Sequence, residues 1–248
     1  MLKQNEVLND LLGFEGMKII QRKDMLNFSL DSVLLANFVT LNTGIKTIFD
    51  IGTGNAPVPL FLSQKTKAKI YGIEIQEESV DLARRSVAIN HLEEQIEICH
   101  FDVNEVGNFF PHSIADVVVS NPPFFKFSES AIINQNDALT VARHEVRLNL
   151  EQLVKQAAFL LKNNGYFAMV HRPDRLIEII EVLQKYRLEP KRIQFIYPKV
   201  GRDAHMLLIE ARFNGNVGVK VLPPIYAHNE DGSYSDYVVK CFGKEMQE

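Results

Sequence analysis

Cysteine is scarce in this chain: Cys99 and Cys241 are the only two among 248 residues. Neither belongs to a CxxC pair or a Cys/His cluster, which argues against a disulfide framework and against structural zinc, and no metal is expected. A reducing cytosol fits that usage. Long apolar runs are also missing. None approaches the ~20 residues needed to cross a bilayer, so no membrane span is expected. The opening Met1-Leu2-Lys3-Gln4-Asn5-Glu6 lacks the basic and apolar blocks of a signal peptide, and a cytoplasmic location is the expectation. An excess of positive charge is absent too. The net charge of −4 does not advertise a binder of polyanions. Charge is nevertheless uneven. Between Arg172 and Arg202 eight bases (Arg172, Arg175, Lys185, Arg187, Lys191, Arg192, Lys199, Arg202) face four acids (Asp174, Glu178, Glu181, Glu189). A solvated helix face is the ordinary reading of such a stretch. What is present in quantity, 46% hydrophobic and 23% charged residues, is that of a globular protein able to bury a substantial core.

No repeat or low-complexity tract is visible. Residues 1–45 read as an N-terminal appendage of helix, short hairpin and helix. Val7, Leu8, Leu11 and Leu12 have helical spacing. Residues 18–21 and 25–28 read as two short strands around Arg22-Lys23-Asp24, and Ser29 or Asp31 can cap a helix through Val33, Leu34, Leu35 and Phe38. From residue 46 to 248 the pattern is that of one α/β domain with a C-terminal extension. Strands are expected at 47–50, 69–73, 96–99, 115–120, 166–170, 192–196 and 205–212, and helices at 59–63, 77–90, 150–161 and 175–185. This alternation predicts a mostly parallel seven-stranded sheet with helices on both faces. The last strand follows the sixth with no helix between them, which predicts an antiparallel hairpin at the edge. Pro223-Pro224 breaks regular structure before the tail.

Two strand ends carry the chemistry. One runs into Asp50-Ile51-Gly52-Thr53-Gly54, the other into Asn121-Pro122-Pro123-Phe124. Glycine after a buried strand allows a tight turn and lets backbone N–H groups approach a ligand. Ligands on such sheets sit beyond the carboxyl ends of the strands, where strand order reverses. The GxGxxG turn of dinucleotide folds would need Gly or Ala at position 57. Pro57 stands there, which counts against a nicotinamide enzyme. The segment is instead similar to the Asp-x-Gly-x-Gly-x-Gly turn of class I S-adenosylmethionine (SAM) methyltransferases, with Ala56 in place of the last glycine. Ala56 and Val58 each precede a proline and are biased away from helical angles. The next helix is therefore predicted to start at Pro59, and the carboxylate end of the cofactor to be held differently from the usual way.

Glu74 ends the second strand, followed by Ile75, and can accept hydrogen bonds from ribose hydroxyls. Asp102 follows the third strand, and its carboxylate can accept from an adenine amino group while the Val103 N–H donates to the ring. Singly, a strand-end acid and a helix-capping loop acid are the ordinary readings. Three acids ending three consecutive parallel strands, on one sheet edge, point to a cofactor carrying a nucleoside.

The Asn-Pro-Pro-Phe element suits an exocyclic amine, whose lone pair is delocalised into its ring. Acceptors on both N–H bonds draw the nitrogen toward a tetrahedral arrangement. The Asn121 side-chain oxygen and the Pro122 carbonyl can be these acceptors, the prolines holding the backbone rigid. Phe124 can stack on the base, an interaction worth about 1–3 kcal/mol. Adenine N6 and guanine N2 satisfy this geometry equally.

The chain resembles the bacterial tRNA-Val adenine-N6 methyltransferases, members of the Rossmann-like class I methyltransferases. The resemblance rests on Phe28-Ser29-Leu30-Asp31-Ser32-Val33-Leu34-Leu35-Ala36, Asp50-Ile51-Gly52-Thr53-Gly54-Asn55, Ser120-Asn121-Pro122-Pro123-Phe124-Phe125 and Ala142-Arg143-His144-Glu145, and spans residues 8–215. It implies SAM as cofactor and S-adenosylhomocysteine as product. Asp50, Gly52, Gly54, Glu74, Ile75, Asp102, Val103 and Asn121 would line the cofactor site, with Asn121, Pro122 and Phe124 catalytic. Asp31 and Ser32 would lie near the mouth of the cofactor site. Residues 126–143 would form a substrate loop, with Lys126, Arg143 and His144 binding substrate. The implied partner is RNA, tRNA before other species. A guanine-N2 methyltransferase of ribosomal RNA, which also uses Asn-Pro-Pro-Phe, stays open, as does a non-catalytic SAM-binding RNA adaptor, against which the intact Asn121 argues. A protein glutamine methyltransferase fits less well, since its relatives carry Asn-Pro-Pro-Tyr.

Overall fold

The Val- and Ile-rich runs become strands because β-branched side chains pack well on a pleated surface buried on both faces. The computed structural model describes residues 2–11, 16–24, 30–122 and 148–242. A short antiparallel pair, β1 (Glu6–Asp10) and β2 (Lys18–Arg22), precedes helix α1 (Leu30–Phe38). Then come β3 (Thr47–Ile51), α2 (Pro57–Ser63), β4 (Lys69–Glu74), α3 (Glu77–Ile89), β5 (Ile96–His100) and β6 (Ala115–Ser120). The second half holds α4 (Leu150–Leu160), β7 (Leu161–His171), α5 (Leu176–Lys185), β8 (Leu188–Tyr197) and β9 (Met206–Phe213). Two-residue strands β10 (Lys220–Val221) and β11 (Ile225–Tyr226) and helix α6 (Asp236–Cys241) end it.

Seven long strands lie in the order β5-β4-β3-β6-β7-β9-β8, and β10 and β11 both pair with β8. All pairings are parallel except those of β9, which runs antiparallel to both β7 and β8. The expected antiparallel hairpin, β8 and β9, forms this end of the sheet, with β8 outermost of the long strands and β9 between it and β7. The chain builds outward from β3 to β4 and β5, then crosses back to place β6 on the other side of β3. Ligands bind in the crevice that such a reversal opens.

Successive residues of each strand serve opposite faces. Ile48, Val117 and Val119 join one cluster with α1, α2 and α3. Phe49, Ile51 and Val118 join the other with α4 and α5.

Several expectations need correction. Residues 6–10 form a strand and not a helix. A few apolar residues at ambiguous spacing yielded to five backbone pairings with β2. The hairpin partner of residues 18–21 is therefore β1. The predicted strand at 25–28 and the Ser29 cap lie outside the described residues. Helix α2 starts at Pro57, two residues earlier than predicted. Pro57 and Pro59 take the first and third helical positions, whose N–H groups have no intrahelical acceptor in any helix. Burial of all seven α2 residues holds Val58 helical against the bias of the proline after it. The tail packs back, β11 on β8 and α6 on α1, where Asn37 Nδ2 donates to the Cys241 carbonyl at 3.2 Å.

Candidate active site

The carboxyl ends of β3, β4, β5 and β6 bring the expected residues to one edge. Gly52 and Gly54 have φ of +73° and +57°, left-handed conformations that favour glycine. A Cβ on either would meet nothing within 4 Å, so the turn presents bare backbone to open space. Ala56, where the methyltransferase turn has its last glycine, also has a positive φ of 70°. It keeps the left-handed shape at the cost of a side chain there.

The turn is fastened to β4. Gly52 and Thr53 N–H both donate to the Ile73 carbonyl at 2.9 and 3.0 Å. The Glu74 carboxylate, 6% exposed, accepts from Gly54 N–H through Oε2 and from Ile75 and Gln76 N–H through Oε1, each at 2.9 Å. A carboxylate offers about four acceptor directions, and the clearest one left lies on Oε2. Glycine at position 72 is required by packing, since a Cβ there would stand 2.9 Å from the Thr53 side chain. Asn55 Nδ2 donates to the Ile20 carbonyl at 2.9 Å and ties the turn to β2, a role that its place after Gly54 does not reveal.

Asp50 is 1% exposed, and neither carboxylate oxygen has a hydrogen-bond partner among the described residues. Burial pushes its pKa up to about 7; the neighbouring Thr53 hydroxyl, itself without a partner, pulls the other way, and the Glu74 charge adds to the rise. A buried acid left unpaired is costly, and acids in such settings cluster at functional sites. Asp102 caps the short 3-10 turn Val103–Asn108, its Oδ1 accepting from Asn104 N–H and Nδ2 at 2.9 Å each. Val103 is buried beside it. Ile75 is half-buried, and its carbonyl lies 3.1 Å from His100 Nε2.

Across the reversal point, Ser120 Oγ donates to the Ile51 carbonyl at 2.8 Å and pins the end of β6 to β3. Asn121 follows, half-buried, and its Nδ2 donates to Ser32 Oγ at 3.1 Å. Ser32 is 2% exposed, in the first turn of α1. Pro122 is half-buried at the described end of this segment. Phe124, Lys126, Arg143 and His144 lie outside the described residues.

Four of the eight bases in the basic stretch are ion-paired among the described residues. Arg172 pairs with Asp174, Arg175 with Glu178, Lys185 with Glu151 and Arg192 with Glu210. Lys199 and Arg202 are exposed and make no ion pair among the described residues. They lie between β8 and β9, beyond the carboxyl end of β8 and so on the same sheet edge as Asn121.

Residues 29–189, well over half of the chain, match the methyltransferase small domain family. The chain is similar to the tRNA1(Val) (adenine(37)-N6)-methyltransferase of Porphyromonas gingivalis, with 31% identity over 82% of this chain and 81% of that one. It is similar also to the protein so named in Bacteroides thetaiotaomicron, with 30% identity over 92% and 95%. Among solved structures, a predicted O-methyltransferase from Agrobacterium tumefaciens superposes with a TM-score of 0.69 at 21% identity, over 86% of this chain and 95% of that one. TYW2 of P. horikoshii superposes with a TM-score of 0.58 at 14% identity, over 86% and 73%, and these two likenesses bear on the fold. The sheet order, the turn after β3 and the family match agree: the chain belongs to the methyltransferase small domain family.

Proposed function

We propose that this protein transfers a methyl group from SAM to the exocyclic N6 of an adenine in tRNA, in the anticodon loop, within the cytosol. The observation that carries the reading is the pair of strand ends facing one crevice, Asp50 to Gly54 on one side and Asn121 on the other, in a chain at least 30% identical to adenine-N6 methyltransferases over most of its length. The residues suit the cofactor. Gly52 and Gly54 offer open backbone, and Asp50 is an orphaned buried acid able to receive a cationic amino group. Glu74 Oε2 has room for one ribose hydroxyl, with Ile75, Asp102 and Val103 at the adenine end. The bound cofactor supplies an electrophilic methyl group.

Asn121 Oδ1 and the Pro122 carbonyl accept from the two N–H bonds of the target amine and free its lone pair. Phe124 stacks on the base, and Lys126, Arg143 and His144 contact the RNA. The amine loses its proton after attack, so no strong base is required and positioning supplies most of the acceleration. The base has to leave its stack to reach the crevice, and an anticodon loop offers unstacked purines at low cost.

Incubation with unmodified tRNA and, separately, unmodified ribosomal RNA, followed by nucleoside analysis, tests the assignment. N6-methyladenosine in tRNA is expected. N2-methylguanosine confined to ribosomal RNA would overturn it. Asn121→Ala is expected to abolish transfer while calorimetry shows SAM affinity within a few-fold of wild type. Near-normal turnover in that variant would remove Asn121 from its role.

A further inference from the structure

Asn121 enters the crevice on a fixed backbone, because Ser120 Oγ is bonded to the Ile51 carbonyl at a wholly buried position. Its side chain is not fixed by that bond. The terminal torsion of an asparagine is broad and roughly two-fold. One orientation offers the ligand an acceptor, Oδ1, and the other offers a donor, Nδ2. An amine that must give up both N–H groups can use only the first. A donor turned toward it would repel it.

Ser32 is bonded to this amide in the first of these orientations. Its Oγ takes Asn121 Nδ2 at 3.1 Å, which leaves Oδ1 on the opposite side of the amide. We propose that Ser32 is a positioning residue for methyl transfer, holding the Asn121 amide so that Oδ1 faces the target amine. The inference rests on the function proposed above and deepens it, adding a group from α1 that acts through Asn121.

The anchor itself is rigid. Val33, Leu34, Leu35, Ala36 and Phe38 of α1 are buried in the core shared with α2 and the sheet. Just past the far end of the helix, the Glu210 carboxylate on β9, 1% exposed, accepts from Thr40 N–H at 2.7 Å, from Thr40 Oγ1 at 2.8 Å and from Arg192 Nε at 2.9 Å. The Arg192 guanidinium lies over the Phe38 ring, 4.6 Å from its centroid. Ser32 is thus presented to Asn121 from a helix clamped to the same sheet that carries Asn121.

The test uses the full chain, SAM and unmodified tRNA. Ser32→Ala is expected to lower kcat about 10- to 100-fold, the scale of a misplaced reacting group. KM for SAM, calorimetric SAM affinity and Tm should stay near wild type. Ser32→Thr, which keeps the hydroxyl, should recover most of the lost kcat. Independently of turnover, the Asn121 side-chain amide signals in a 15N-resolved spectrum should shift in Ser32→Ala and stay close to their wild-type positions in Ser32→Thr. Should Ser32→Ala fold poorly, Ser32→Cys carries the same expectation, since a thiol of similar volume is a weak acceptor. An active wild type with unchanged kcat in Ser32→Ala overturns the inference alone. A loss confined to KM for SAM also overturns it, by making Ser32 a cofactor contact. A wild type that forms no N6-methyladenosine overturns the reading of function, and this inference with it.

Discussion

Asp50 shows how much one side chain can hold in tension. It lies next to the end of a strand that is buried on both faces, and neither oxygen of its carboxylate makes a hydrogen bond among the described residues. Its pKa of about 7, against an ordinary 3.8, means that the fold keeps a proton which the unfolded chain releases. Between those values unfolding releases that proton, so stability falls as pH rises, by up to about 1.4 kcal/mol per pH unit. Below the window both states are protonated and the penalty vanishes; above it the penalty is complete. The Tm of the ligand-free protein should therefore fall from pH 5 to 7. Asp50→Asn, which keeps the shape and removes the titration, should flatten that decline and raise Tm at pH 8. An unchanged slope in Asp50→Asn would show that the penalty lies elsewhere. Asp50, Gly52, Gly54 and Asn121 were legible as site candidates because each belongs to a local string. Ser32 was placed only by resemblance, and its bond to Asn121 joins residues 89 apart.

Elements were legible where local and tertiary forces agree. Helix α4 opens with a capping box, the Asn149 side chain accepting from Gln152 N–H and the Gln152 side chain from Asn149 N–H, and its start matches the pattern at Leu150. The short elements near the N-terminus did not read as well. Strand β1 exists because β2 pairs with it. The pair is held to α3 by the Ile20 N–H bond to Ser86 Oγ at 3.0 Å and by Asn90, whose side chain bonds both the N–H and the carbonyl of Lys18. No local spacing encodes such contacts. Helix α1 likewise depends on distant partners. Glu210 is almost wholly buried and balanced by Arg192, so Arg192→Ala leaves a buried carboxylate without its cation. Such a change should cost about 3 kcal/mol, measured as a lower urea midpoint with unchanged slope. A midpoint equal to wild type would mean that Thr40 alone satisfies Glu210.

At the scale of the molecule the decisive feature is which groups share the carboxyl edge. The excess of bases between Arg172 and Arg202 does not form one surface. Lys185 sits at the end of α5 and pairs with Glu151, Arg192 supports α1, and Lys199 and Arg202 stand beyond β8 on the edge that carries Asn121. RNA binding is expected to weaken as salt rises, despite the acidic net charge. Lys199→Ala and Arg202→Ala should each lower the salt slope by roughly one unit or slightly less, whereas Lys185→Ala should leave it unaltered. Equal slopes in all of these proteins would place the phosphate contacts elsewhere. No helix among the described residues is long and apolar enough to cross a membrane.

What the sequence by itself determined is what short-range chemistry encodes: β-branched runs that become buried strands, glycines that allow the turn after β3, acids at successive strand ends, and the Asn-Pro-Pro string that follows β6. These depend on residues within one turn or strand of each other, and they pointed to a methyltransferase crevice. Only the tertiary structure decided that β9 enters between β7 and β8, that Glu74 accepts from the Gly54 N–H of the glycine turn, and that α1 delivers Ser32 to Asn121. Each of these is set by competition for backbone donors, burial and strand partners across the whole chain. Such competition leaves no local pattern, because the winning partner is known only once every other element has been placed.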